Sequence, residues 1–210
     1  MALTSLDYQK QVRGTLGLAE LDTAALPVVD VLRALNNGLK VISAEWEWYW
    51  LFASTTGTAT AGVATIAAPE GYRRAISFTV GETVVAERTY SELLAYDDTA
   101  GDPAAFALAG PNLYLWPPPA ESQTYSLVYL RSEPTLLNDE DTPLLPDAYS
   151  PWLVAEAALQ LSLRTNSVDK YAVLQAEVAA WRGRAVGDEK RKRNAASRRI
   201  GRTKSPTWNS

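Results

Sequence analysis

The sequence predicts an α+β fold: a helical bundle of about four helices, an inserted antiparallel β domain and an extended basic C-terminal tail. Three observations predict it. Apolar residues recur at helical spacing up to about residue 54 and again after about residue 132. Between them the period falls to two, with Gly, Pro and Asp as punctuation. Beyond Gly187, apolar residues nearly vanish while basic ones crowd together. Four segments follow: residues 1–54, N-terminal helices of the bundle; 55–131, the β domain; 132–187, its C-terminal helices; and 188–210, a tail expected to be disordered until docked.

In chain order, residues 3–20 form a first helix of modest quality. Leu3, Leu6, Tyr8, Val12, Leu16 and Ala19 lie loosely on one side, and Gly14 and Gly17 weaken it. The second helix is stronger: after Pro27, the series Val28, Leu32, Leu35, Leu39, Ile42, Trp46 advances by alternate fours and threes as one stripe. It runs into EWEWYWLF, residues 45–52, where Trp46 and Trp50 extend the helical series while Trp46, Trp48 and Trp50 also alternate as a strand would. The helix therefore ends here and extended chain begins. The aromatic bulk reads first as core closing one end of the bundle, together with Trp152 and Trp181, and second as a sugar- or base-stacking platform.

TATAGVATIAA, YRRAISFTV, ETVVAER, AAFALAG, NLYLWP and TYSLVYLR are short strands, with TYSELLAYDD as a helical turn among them. PPP at 117–119 fits a tight connection before the last strand. Residues 147–164 are apolar nearly all round, through Trp152, Leu153, Val154, Leu159, Leu161 and Leu163, as a central helix would be; Asp147 and Ser150 are rival caps. A last helix from Ser167 carries Val168, Tyr171, Leu174, Val178, Trp181 and Ala185 on one stripe, and Gly187 closes it.

Composition narrows function. With 47% apolar and 21% charged residues over 210, a sizeable core is affordable. No apolar run approaches the roughly 18 residues of a membrane span, and MALTSLDYQK lacks the sections of a signal peptide, so a soluble, untargeted chain is expected. Zero cysteine excludes disulfides and thiolate chemistry; zero histidine excludes imidazole bases and His-ligated metal. Of the carboxylate clusters, DDTAGD (97–102) and NDEDT (138–142) lack calcium-loop spacing and read as capping turns. SVDK (167–170) has none of the companions of a Ser-x-x-Lys enzyme, and the glycines of TTGTATAGVA precede no phosphate-cradle lysine. No catalytic, cofactor or metal residue is assigned.

The charge is segregated. Residues 188–210 hold Lys190, Arg191, Lys192, Arg193, Arg198, Arg199, Arg202 and Lys204 against Asp188 and Glu189, a net of +6. From totals of 20 basic and 24 acidic residues, that leaves 12 and 22 on residues 1–187, a net of −10. Such a tail is either a solvated terminus or a segment that binds nucleic acid or an acidic cleft on a protein, folding as it binds. Trp208 is its one aromatic residue, too few for base stacking, which favours the protein.

Taken together, the chain resembles the head-to-tail adaptor (connector) proteins of tailed bacteriophages. VLRALNNGLKVISAEWEWYW resembles that family's Leu-Asn-x-Gly helix with a Trp-rich end. NLYLWPPPAESQTYSLVYLRSEPTLLNDEDTPLLPDAYSPWLVAEAAL resembles its Trp-Pro turn, Tyr-x-Arg strand end, acidic loop and apolar helix, and the arginine-rich C-terminus is the third element. TTGTATAGVATIAA departs from the pattern. The resemblance implies a structural virion protein, assembled in the host cytoplasm, without enzymatic activity, cofactor or membrane. It implies a dodecameric ring of itself beneath the portal, the tail from Lys190 to Trp208 docked on the portal protein, and a β region receiving the next tail component (nozzle or tail-completion protein). Genomic DNA would pass the lumen unbound. A nucleic-acid-binding protein using the tail and a Trp-rich carbohydrate-binding module are the alternatives.

Overall fold

A computed structural model describes residues 2–95, 99–165 and 168–200, apart from the side chains of 168 and 193–200. The fold is mixed α+β. Two compact units divide the chain: one of Met1–Tyr49 and Glu133–Ser210, the other Trp50–Ser132. The described residues form five α-helices: α1 (Ser5–Leu16), α2 (Val28–Glu45), α3 (Tyr90–Leu93), α4 (Ser150–Ser162) and α5 (Val168–Ile200). All but α3 belong to the first unit.

There α4 is central, packing against α1, α2 and α5. Its near-continuous apolar surface explains the position: Trp152, Leu153, Val154, Ala155, Ala157, Ala158 and Leu161 are all buried. Pro151 occupies the first turn, but neither Asp147 nor Ser150 caps through its side chain. The Ser150 hydroxyl instead meets the Tyr8 hydroxyl at 2.9 Å in the core. On α2 the buried stripe is Val31, Ala34, Leu35, Gly38, Leu39 and Ile42, rotated from the expected one, so that Val28 is exposed. Gly38 sets this rotation: a Cβ there would stand 3.0 Å from Leu153 Cδ1 and 3.3 Å from Glu156 Cγ, so its absence brings α2 close onto α4. α1 stops four residues sooner than expected, at Leu16, because Gly17 takes the left-handed conformation, φ 80°.

The second unit has two four-stranded sheets where one antiparallel sheet was expected. The first is ordered β1 (Phe52–Ala59), β8 (Gln123–Arg131), β3 (Tyr72–Val80), β4 (Thr83–Val84). The second is ordered β2 (Thr65–Ala67), β7 (Asn112–Trp116), β6 (Ala105–Ala109), β5 (Ala86–Glu87). One pairing, β5 with β6, is parallel. The expected first strand, TATAGVATIAA, is broken at Thr60–Ala64, so its start belongs to β1 in one sheet and its end to β2 in the other. Phe78 and Val80 from the first sheet and Phe106, Leu113 and Leu115 from the second share one core. The Phe78 and Phe106 rings meet edge to face at 5.0 Å.

One expectation is overturned at the C-terminus. Gly187 does not close the last helix, and α5 continues through it to Ile200. A glycine inside a helix costs only about 1 kcal/mol relative to alanine, and here helical contacts span it. The Arg191 side chain donates to Gly187 O through Nε at 3.4 Å and pairs with Asp188 at 2.9 Å, and Lys192 faces Glu189 at 3.7 Å. The buried stripe also runs on past Gly187, from Leu174 and Ala185 to Glu189. Residues 188–200 are thus helical where disorder was expected.

Candidate functional site

The Trp-rich segment and the basic end of α5 come together within the first unit. α2 ends at Glu45 and Trp46 is extended (φ −154°, ψ 161°); a 3-10 turn at Tyr49–Leu51 then leads into β1. The change of backbone scatters the aromatic side chains. Trp48 is fully buried, donates its indole N–H to Ile42 O at 2.6 Å and lies edge to face on buried Trp152 at 5.8 Å. Trp50 is buried, whereas Trp46 and Trp181 are half-buried and Tyr49 is exposed. No row of stacked, open indoles results, which disfavours the sugar platform.

Against this segment lies α5. Lys192 Nζ sits 3.7 Å from the centre of the Tyr49 ring, and Lys190 Nζ stands 5.9 Å from that of Trp46. Glu189, which precedes both in sequence, is 3% exposed. Asp188 approaches Tyr149, whose hydroxyl is pushed above its ordinary pKa first by burial and then by the Asp188 charge. One turn up the chain from Ala185, Arg182 pairs with Glu45 at 2.6 Å. Glu156 faces the same pair: burial raises its pKa and Glu45 adds to that, while a bond from Gln160 and the Arg182 charge oppose it. Of the predicted basic residues, Arg191 points away from this contact, its side chain 79% exposed. Arg193, Arg198 and Arg199 lie on the α5 backbone with side chains outside the described residues. Arg202, Lys204 and Trp208 lie outside the described residues altogether.

The acidic and Ser-x-x-Lys motifs resolve into structure. Asp141 accepts from the backbone N–H groups of Leu137 and Asn138 at 2.6 and 2.7 Å, which holds its carboxyl below the usual range. The turn so formed meets the start of α1, with Ser5 N donating to Asp141 O at 2.7 Å and Gln9 to the Asp139 carboxylate at 2.9 Å. Lys170 donates to Thr15 O at 2.9 Å, in the last turn of α1. Asp97 and Asp98 fall outside the described residues, as does Ser167. Among the described residues no group of three or more Asp and Glu could hold a metal ion.

Sequence reasoning missed several participants. Asn36, inside the LNNG stretch, pairs with the backbone of Leu136 through both ends of its amide, at 2.9 and 2.8 Å. Thus Leu35 fills the core, Asn36 holds the incoming loop and Gly38 admits α4. Arg13 is buried on α1, donating to Leu26 O at 3.2 Å. Glu189, Tyr49 and Tyr149 were also passed over. The four-residue step from Ala185 to Glu189 was a signal that the last helix continued, outweighed by the glycine between them.

The family model described as SU10 adaptor protein matches residues 4–206, nearly the whole chain. The chain belongs to the SU10 adaptor family. This is a family of phage head-tail adaptors, so the protein is a structural component of the virion that meets other virion components. No curated protein matches the chain. Family membership spans both units and gives the LNNG helix, the acidic turn and the basic end of α5 a common setting. Among the described residues no helix is long and apolar enough to cross a membrane.

Proposed function

We propose that this SU10 adaptor family member is one subunit of a dodecameric ring seated beneath the portal, extending the DNA channel and receiving the next tail component, a nozzle or tail-completion protein. The basic C-terminal segment anchors it to the portal. The observation that carries this reading is the charge segregation: a net of +6 on residues 188–210 against −10 on the rest, with the first basic residues borne on a helix rather than on a loose end. A negative body repels phosphate, so the genome slides past it, while guanidinium groups make forked, charge-assisted contacts with carboxylates of a protein partner.

Replacing Arg191, Arg193, Arg198, Arg199 and Arg202 with alanine tests the anchor. Capture of the portal from a lysate containing the virion proteins should fall at least tenfold, with the far-ultraviolet circular dichroism of the body retained. Undiminished capture would overturn the anchor. Recovery of nucleic acid alone, lost at moderate salt, would replace it with a phosphate-binding role.

A further inference from the structure

The basic end of α5 is gripped by its own chain. Lys190 and Lys192 leave the helix on either side of the line set by buried Glu189, because steps of one and three residues diverge by about 100° and 60° around a helix. One reaches the Trp46 ring and the other the Tyr49 ring. Asp188 faces Tyr149, and Lys192 also neutralises Glu189. Arg191 is opposite this line and open to solvent. The chain thus sorts its cations: two ammonium groups lie over aromatic faces, with both lysines still exposed and Lys192 showing 51% of its side chain to solvent, while a guanidinium points away from the rings.

We infer that the Trp-rich segment is a clasp, in which Trp46 and Tyr49 hold Lys190 and Lys192 on the subunit's own body and withhold them from an acidic partner until docking. The withholding rests on the anchoring function proposed above; the clasp itself is a property of the free chain. Its physical basis is competition. A partner carboxylate attracts an ammonium group more strongly than a ring face does, so a dense acidic surface opens the clasp where scattered charges do not.

The test uses the full-length chain without any partner. Hydrogen exchange of amides 186–192 is compared in wild type, in Trp46→Leu with Tyr49→Leu, and in Lys190→Met with Lys192→Met. The last pair leaves every core aromatic in place and keeps the apolar stems, so it decides the matter if the first fails to fold. Exchange should accelerate on the order of tenfold in both variants while the amides of α4 stay unchanged. Poly-L-glutamate binding, followed by fluorescence anisotropy, should tighten about threefold in the aromatic variant, whose lysines are released. Unaltered exchange in the lysine variant, or unstructured rates in the wild type, would overturn the clasp; unchanged poly-L-glutamate affinity in a folded aromatic variant would overturn the withholding. Because no portal is present, a clasp that behaves as expected alongside failed portal capture would overturn the anchor alone.

Discussion

Asn36 and Gly38 do different work within one turn of helix, and substitutions separate their roles. Asn36→Ala strands the N–H and C=O of Leu136, which is buried, so unfolding by urea should show a loss of about 1–3 kcal/mol. Gly38→Val inserts a branched side chain where even a Cβ already stands 3.0 Å from Leu153, and a loss of about 1–3 kcal/mol is expected from overpacking. Glu156 predicts a pH effect of definite sign. Its folded pKa is raised above the ordinary 4.5, chiefly by burial. The folded state therefore holds a proton more tightly than the unfolded state does. The resulting stability is fully present below the unfolded pKa and is lost as pH rises through the folded one. Glu156→Gln should remove that decline, and melting temperatures of the two proteins between pH 4 and pH 8 will diverge in favour of the variant if the assignment is right.

Among the elements, α5 is the one whose extent matters most. At 33 residues it spans about 50 Å, against about 20 Å for the 13-residue α4 on which it packs. Gly187 lies within it in helical conformation, and a Cβ there would make only an ordinary contact with Arg191, at 3.8 Å. Gly187→Ala should therefore stabilise the chain by about 0.5–1 kcal/mol and raise its helicity. Had Gly187 been the left-handed closing residue expected from the local pattern, the same substitution would destabilise. That pattern, a glycine followed by a run of charges, is also what a helix end looks like. The contacts that outweigh it come from Trp46, Tyr49 and Tyr149, more than 30 residues distant in sequence, so no local rule could weigh them. The α2 stripe shows the reverse case: its period was legible, but its rotation was set by Gly38 against α4, which only packing reveals.

At the scale of the whole molecule, charge segregation makes its own prediction. A chain lacking residues 188–210 carries the net of −10 and should show no retention of duplex DNA at 150 mM salt by fluorescence anisotropy, so any DNA affinity of the full chain should disappear with the tail. Composition, periodicity and motif order, by themselves, determined that the protein is α+β with helices flanking a β insertion, that imidazole and thiol chemistry are excluded, where its cations are concentrated and which family it resembles. These are properties of residue type and near-neighbour spacing, which sequence carries directly. Tertiary structure alone decided that the strands form two sheets around a shared core, that Trp48 packs on Trp152 while Trp46 faces Lys190, and that Asp141 serves a backbone turn. Each of these depends on which distant segments meet, and that is settled by the complementarity of packed surfaces rather than by the order of residues along any one of them.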